Sequence, residues 1–197
     1  MMIMRDGLAT RERLRQVALT LFVARGVDAV SVRDITAAAD VRAGTLYVHW
    51  SSKDALIEDL FRTGFDRYGG RIAAVLAAPG DFAARLAALV VLVCRIHDED
   101  ETLFAFLLLT QHRNLAGVPG GATHPVRLIH DAVAAALATG EIAAGDPVLL
   151  TSTILGTLVH AATFRLYGWT ERPMMAMAPE ITALCLHALG LQEGAAR

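Results

Sequence analysis

Residues 31–56 contain two short helical patterns separated by one polar residue. Ser31 can cap the first helix, whose inward positions follow the three-and-four spacing of one buried helical face and are Val32, Ile35 and Ala39. Asp40 occupies the break, and the second pattern has the inward positions Val41, Leu46 and Trp50. Two short helices that meet at a tight turn, the second with polar outward positions, are typical of a helix-turn-helix that reads DNA.

The second helix is the candidate DNA reader because its outward side chains can contact base edges. The candidates for base contacts are Arg42, Thr45 and His49. Arginine can bind guanine through two hydrogen bonds, and the methyl groups of threonine and of Val48 can contact thymine methyls. For each of them, a phosphate contact or simple solvent exposure stays an open alternative. The spacing of Trp50 from Leu46 instead predicts that this indole lies in the core.

Charge and composition favour a folded, water-soluble protein with a weakly basic N-terminal part. Of the 197 residues, 54% are hydrophobic and 19% are charged. The longest purely apolar run is nine residues, Leu86–Cys94, and a membrane span needs about twice that length. Charges near the N-terminus exclude a signal-peptide pattern, so we expect a cytoplasmic protein and no membrane association. Residues 1–54 carry eight basic and six acidic side chains, a net charge of +2, which predicts few phosphate contacts per subunit.

The remaining helical patterns predict an all-α chain, since no stretch alternates with the period of a strand. A helix before the motif ends at Gly26, with Leu14, Ala18 and Phe22 among its buried positions. The next predicted helix runs from Lys53 to about Tyr68, where Gly69 and Gly70 weaken the pattern. Asp81 can cap a helix that extends to about His97, and Asp146 can cap another. The other predicted helices are Asp100 to Asn114, one near Pro125–Thr139 and one near Pro179–Leu189.

Residues 146–169 form a pattern that is apolar almost all round, so this helix needs cover on two sides. One side can pack on its own subunit through Leu150, Ile154, Leu158 and Ala161. A second subunit is the simplest cover for the other side, which predicts a four-helix dimer interface. Its candidate residues are Leu155, Val159, Ala162, Leu166, Ile181, Leu184 and Ala188. A helix at the centre of a monomeric bundle is the alternative.

From Arg11 to Leu60 the chain resembles the TetR family of transcriptional regulators. The matching residues are Leu21-Phe22, Gly26, Ile35, Gly44-Thr45-Leu46-Tyr47, His49, Trp50 and Lys53-Asp54-Ala55-Leu56. The resemblance implies an N-terminal three-helix helix-turn-helix unit, residues 1–54, and a larger helical ligand-binding and dimerisation domain, residues 55–197. Two departures bear on DNA reading: Asp40 stands where the family usually has glycine, and Ala43 and Val48 stand where polar residues are common.

The resemblance also implies which residues contact double-stranded DNA. Tyr47 and Lys53 would touch phosphates, and the N-terminus of the first motif helix would offer its amides to another phosphate. The complete set of expected DNA contacts is Ser31, Val32, Arg33, Arg42, Ala43, Thr45, Tyr47, Val48, His49 and Lys53.

A small-molecule effector is likewise implied by the resemblance, but no motif names it. The candidate contacts are the aromatic, apolar and histidine positions Phe104, Leu108, His112, His160, Phe164 and Tyr167, and ordinary core or interface packing is the alternative for each. Aromatic walls with few polar groups would suit an uncharged or weakly polar molecule.

Three other groups of residues are of types that can bind metals or react chemically. His97, Asp98, Asp100 and Glu101 bunch at a helix boundary, where carboxylates cap the next helix, so we expect no metal. Cys94 and Cys185 are expected as buried thiols, and Met174, Met175 and Met177 as adaptable packing or a flexible loop. No zinc-binding spacing, phosphate-binding loop or nucleophile and base pair is apparent, so we expect no cofactor and no enzyme.

The sequence therefore predicts a homodimeric TetR-like regulator, more readily a repressor than an activator, that binds a palindromic operator and releases it when a small molecule binds. The alternative is a helical small-molecule-binding or interaction protein with weakened DNA binding, which the low local charge and the apolar Ala43 and Val48 favour.

Overall fold

The computed structural model describes the backbone of residues 2–114 and 124–191 and the side chains of residues 7–110 and 124–191. Within these ranges every regular element is an α-helix, which confirms the all-α prediction. The helices are α1 (Met2–Arg25), α2 (Val32–Ala38), α3 (Thr45–His49), α4 (Lys53–Leu76), α5 (Phe82–Glu99), α6 (Glu101–Asn114), α7 (Pro125–Thr139), α8 (Pro147–Leu166) and α9 (Met174–Ala188).

The described residues form two compact units, of which the first takes in those of Met1–Gly64 and Thr102–Val118. It contains α1, α2, α3, the beginning of α4 and most of α6. Its core consists of apolar side chains at most 2% exposed, among them Leu14, Phe22, Ile35, Leu46, Leu60 and Phe106. The rings of Phe22 and Phe106 stack with their centroids 6.0 Å apart, so α6 shares the core on which the motif helices pack.

The second unit takes in the described residues of Phe65–Glu101 and Pro119–Arg197. In it α5 packs against α9, and α8 packs against both α7 and α9. The buried side chains of these helices include Phe82, Leu86, Val90, Ile154, Leu158 and Ile181. The predicted caps are confirmed: Asp81 accepts a hydrogen bond from the amide of Ala84 at 2.8 Å, and Asp146 accepts one from the amide of Val148 at 2.7 Å.

Two predicted helix boundaries are wrong. Helix α4 continues through Gly69 and Gly70 to Leu76, because burial of Tyr68 and Ile72 on either side outweighs the modest helix penalty of the glycines. Helix α9 begins at Met174 and not near Pro179.

The early start of α9 is due to a cap from another helix. Both carboxylate oxygens of Asp98 on α5 are used: Oδ1 accepts from the amide of Met174 at 3.0 Å and Oδ2 from that of Met175 at 2.9 Å. Partial burial alone would raise the pKa of Asp98, but these bonds and one from His97 together outweigh it and lower the pKa. The methionine group is therefore the first turn of a helix, with Met174 buried, and not a flexible loop.

Helix α8 is strongly apolar, yet little of it is buried within its own chain. It is the one helix of the described chain that is long and apolar enough, by length and composition alone, to cross a membrane. Only 22% of its most apolar 18-residue stretch is buried. The single chain therefore leaves much of this apolar helix exposed.

Candidate nucleic-acid interface

Helix α2 is closed at its N-terminus by a reciprocal capping box. The hydroxyl of Ser31 accepts a hydrogen bond from the amide of Asp34 at 3.2 Å, and the carboxylate of Asp34 accepts one from the amide of Ser31 at 2.8 Å. The hydroxyl of Ser31 also donates to this carboxylate at 2.6 Å, and this bond together with the one from the Ser31 amide lowers the pKa of Asp34. Ser31 and Arg33 are exposed and Val32 is half-buried, which leaves the beginning of α2 accessible to a ligand.

The turn between α2 and α3 contains a left-handed residue at Asp40, the position where the family usually has glycine. Asp40 has φ of 51° and is the one non-glycine residue of the described chain with positive φ. Its amide donates to the carbonyl of Ala37 at 3.1 Å, and the amide of Val41 donates to the carbonyl of Thr36 at 3.0 Å. These two bonds form a Schellman motif, which ends α2 and turns the chain.

Helix α3 presents the predicted reading residues at its outer side. It has only five residues, so Arg42 and Ala43 lie in the turn before it, where both are exposed. Tyr47 and Val48 project from α3 and are 57% and 79% exposed. Thr45 and His49 are half-buried, while Leu46 is fully buried and anchors the helix. The structure thus brings the predicted contacts of the second motif helix onto one short segment, from Arg42 to His49, of which Arg42, Tyr47 and Val48 are the most accessible of its larger side chains.

Trp50 ends α3 and lies in the core, as its spacing predicts. Its indole N–H donates to Asp59 of α4 at 2.9 Å. Arg11 and Arg15 of α1 also donate to that carboxylate, at 3.0 and 2.6 Å. Sequence reasoning missed this cluster, and the available signal was the placement of Arg11 and Arg15 four residues apart on one face of a helix.

Lys53 has a structural role that the sequence did not indicate. Its ammonium group donates to the backbone carbonyls of Val27 and Val30, at 2.8 and 2.9 Å, and so secures the segment between α1 and α2. A lysine ammonium has three N–H donors. Two are used here, which leaves one for the phosphate contact that the family resemblance implies.

The candidate effector contacts do not share one environment. Phe104 and Leu108 are half-buried on α6, whereas His160, Phe164 and Tyr167 are exposed on or directly after α8. The side chain of His112 lies outside the described residues. Exposure of the three α8 candidates favours the interface alternative that the sequence left open for them.

The candidate dimer residues also divide by exposure. Leu166, Leu184 and Ala188 are exposed, and Leu155 and Val159 are half-buried. Ala162 and Ile181 are 1% and 4% exposed, so they pack inside their own chain and cannot contribute to an outer surface. The inward positions Ile154 and Leu158 are buried as predicted.

Three neighbouring titratable side chains and the two cysteines of the second unit have structural surroundings that the structure defines. Ligand atoms of His97, Asp98 and Glu101 lie within 4.8 Å of one another. Asp98, however, caps α9, and Glu101 accepts from Arg165 of α8 at 2.5 Å. Cys94 and Cys185 are free, buried thiols as predicted, and burial raises the pKa of Cys94 to about 11.

Comparison with known proteins places the motif in a family. Residues 14–60 match the model of bacterial regulatory proteins of the tetR family. Over 80 residues the chain is 39% identical to the HTH-type transcriptional repressor KstR2 of Rhodococcus jostii (strain RHA1), a match that covers 41% of this chain and 39% of that protein. The matched region thus spans about two fifths of that curated relative, and the resemblance inferred from the motif is confirmed.

Solved structures share the fold over almost the whole chain. The fatty acid degradation regulator FadR from Bacillus halodurans superposes with a TM-score of 0.77 at 19% identity, covering 89% of this chain and 94% of that one. FadR from Bacillus subtilis, solved in complex with stearoyl-CoA, gives a TM-score of 0.74 at 18% identity and covers 88% and 96%. At these identities the similarity establishes the fold.

Proposed function

We propose that this chain, which belongs to the TetR family through its helix-turn-helix at residues 14–60, is a ligand-responsive transcriptional repressor that binds a palindromic operator as a homodimer. The observation that carries the proposal is the segment from Arg42 to His49, held after a Schellman turn in a domain of that family, with Arg42, Tyr47 and Val48 exposed. The proposal places its action in the cytoplasm and assigns it no catalytic role.

Within the reading segment we assign base contacts to Arg42, Thr45 and His49 and a phosphate contact to Tyr47. Arg42 is exposed and precedes α3, so its guanidinium can reach guanine in the major groove. Ser31, Val32, Arg33 and the third N–H of Lys53 supply further phosphate contacts in this scheme, and Ala43 and Val48 supply apolar contacts to thymine methyls.

DNA binding is tested with duplexes enriched by the protein from a random library, measured against a scrambled duplex by fluorescence anisotropy. Arg42→Ala is expected to change the sequence preference at one base pair of each half-site. Arg13→Ala, which removes the same charge from an exposed position on α1, is the matched control and should leave the preference intact. Failure of the unsubstituted protein to enrich any sequence at low salt overturns the proposal.

Dimerisation is proposed through the α8–α9 surface, defined as the exposed apolar residues Val148, Leu149, Phe164, Leu166 and Leu184. A second copy would cover the helix whose apolar character its own chain leaves in water. Two reading helices also supply the contacts that a segment with a net charge of +2 cannot supply alone.

Leu149→Glu and Leu184→Glu together are expected to give monomers by light scattering and to abolish operator binding. Leu8→Glu changes a residue that is equally exposed on α1 and should leave the mass unchanged. Flotation of the unsubstituted protein with phospholipid vesicles would instead assign α8 to a membrane.

We propose an apolar or weakly polar effector for the helical domain. Phe104 and Leu108 remain its candidate contacts because they are half-buried. Stearoyl-CoA, the ligand in the Bacillus subtilis FadR structure, is a suitable first probe. Stearoyl-CoA joins an apolar acyl chain to a charged coenzyme A group. Release of the enriched duplex by stearoyl-CoA but not by coenzyme A alone would therefore support recognition of an apolar group, since a ligand must bind the DNA-incompetent state more tightly to displace the operator.

The second candidate function, a helical ligand-binding protein with weakened DNA binding, is favoured by the exposure of Ala43 and by Val48 at 79%. It predicts effector binding without sequence-selective DNA binding at any salt concentration. The library enrichment therefore separates the two functions.

A further inference from the structure

Asp59 of α4 lies at the centre of a polar cluster that none of the proposed DNA contacts belongs to. Its Oδ2 accepts hydrogen bonds from Arg15 at 2.6 Å, from the indole of Trp50 at 2.9 Å and from Arg11 at 3.0 Å. The carboxylate side chain is 12% exposed and that of Arg15 is 15% exposed. One largely buried acceptor oxygen therefore joins α1, the end of α3 and α4.

The cluster holds the Trp50 ring from two directions. Asp59 binds the edge of the indole through its N–H, while the guanidinium of Arg11 lies over its face at 5.3 Å from the centroid. Because Arg11 also donates to Asp59, the edge and face contacts depend on each other. Loss of the carboxylate would remove the first contact and release the group that makes the second.

Helix α3 has little else to fix its orientation. It has five residues, and Gly44 at its N-terminus provides no side-chain cap. A helix this short is not stable alone, so its direction is set by tertiary contacts. Those contacts are the buried Leu46 within it and Trp50 directly after it.

We propose that Asp59 is a positioning residue for DNA reading: through Trp50 it sets the orientation of α3, and so selects operator sequences without touching DNA. The inference rests on the proposed DNA-binding function and deepens it. Bidentate base contacts depend on placement to a fraction of an ångström, whereas phosphate attraction tolerates misplacement.

Asparagine at position 59 would keep the size of the side chain but remove its charge. Its amide oxygen could still accept from the three donors to Oδ2, but without the charge that strengthens these bonds, and its NH₂ group would lie toward Arg62, whose guanidinium is 3.7 Å from Oδ1. At the same time, loss of one negative charge strengthens attraction to any duplex. Asp59→Asn should therefore weaken selective binding and leave non-selective binding equal or stronger, a combination that general loss of structure does not produce.

The experiment compares Asp59→Asn with Glu58→Gln, which removes the same charge from the exposed neighbouring position of α4. Binding to a duplex enriched from a random library and to a scrambled duplex is measured by anisotropy on the full-length protein. For Asp59→Asn, the ratio of the two affinities is expected to fall about tenfold, the size of one lost base contact. Glu58→Gln should leave the ratio within about twofold, as expected for a surface change.

A ratio unchanged in Asp59→Asn, or reduced equally in Glu58→Gln, overturns the role of Asp59 and leaves the proposed function standing. No selectivity in the unsubstituted protein overturns the proposed function itself. If Asp59→Asn fails to fold by circular dichroism, Trp50→Phe provides the decision, because it keeps an aromatic side chain at this position and removes the N–H that donates to Asp59. Reduced selectivity in the folded Trp50→Phe protein supports the proposal, and full selectivity refutes it.

Discussion

Helix α2 is closed at both ends by residues within or next to it, whereas α3 is held by residues of α1 and α4. The capping box of Ser31 and Asp34 begins α2, and the turn at Asp40 ends it. Helix α3 lacks a side-chain cap and ends on Trp50, which Asp59 secures. Helix α2 is thus stabilised by nearby residues, and the reading helix α3 by the tertiary structure. A change far from α3 in the sequence can therefore alter DNA reading without altering α2.

Trp50→Ala is expected to have the largest effect, because it removes the main anchor of α3. Replacing a buried tryptophan by alanine costs about 3–5 kcal/mol, and Trp50 is 6% exposed. Urea unfolding of the substituted and unsubstituted proteins measures the difference. Trp169→Ala is the matched control, since Trp169 is 77% exposed and should cost about 0.5 kcal/mol or less. Equal costs for the two tryptophans would show that α3 does not depend on its tertiary anchor.

Asp40→Val tests the C-terminal end of α2 and is expected to cost about 1–2 kcal/mol. With φ of 51° at this position, a β-branched side chain meets the backbone in a conformation that aspartate tolerates far better. Asp40→Asn, which tolerates the same conformation without the charge, is the control. If the valine variant matches the asparagine variant in urea unfolding, the turn carries no conformational demand.

The local features of this motif were readable from sequence because both partners lie within a few residues. Ser31 and Asp34 are three positions apart, and the left-handed turn needs only Asp40 itself. The hydrogen-bond donors to Asp59 lie 9, 44 and 48 positions away. No periodicity links residues at such distances, so the spacing of Arg11 and Arg15 on one helix face does not identify the acceptor that they share.

The same distinction explains the error at α9. Pro179 is a local signal for a helix start, but the actual start at Met174 depends on Asp98, 76 positions earlier. The division of function between residues 1–54 and 55–197 stays a prediction, as do the effector contacts. Both rest on the family resemblance, and no contact within this chain tests them.

Ser31→Ala tests the N-terminal end of α2 and should cost about 1 kcal/mol, the usual value of a lost cap. Ser51→Ala, at an exposed serine outside any helix, is the control. Because α2 is held locally, the variant should keep the order of DNA sequence preferences even where its stability falls. A changed preference would show that the two helices are coupled.

The same variant has a pH signature at Asp34. The capping bonds lower its pKa below 3.8 in the folded protein, so their stabilisation is complete well above pH 3.8 and is lost as the pH falls through the lowered pKa. Carboxyl NMR titration should show the pKa of Asp34 rising toward 3.8 in Ser31→Ala. An unchanged pKa would mean that the Ser31 hydroxyl does not stabilise the ionised carboxylate.

Asp40→Gly should have the smallest effect on stability, a few tenths of a kcal/mol, because two contributions oppose each other. Glycine relieves the left-handed backbone of the folded turn but adds freedom to the unfolded chain. The two Schellman bonds use backbone atoms alone and survive the change. DNA affinity responds separately, since loss of one negative charge should strengthen binding to every duplex. Asp40→Asn removes the same charge, so both variants should gain equally in affinity while differing slightly in stability. If only the glycine variant bound DNA more tightly, aspartate would be shown to strain the backbone of the turn and so to hinder the approach of α3 to DNA. The end of α2 would then be a determinant of DNA reading.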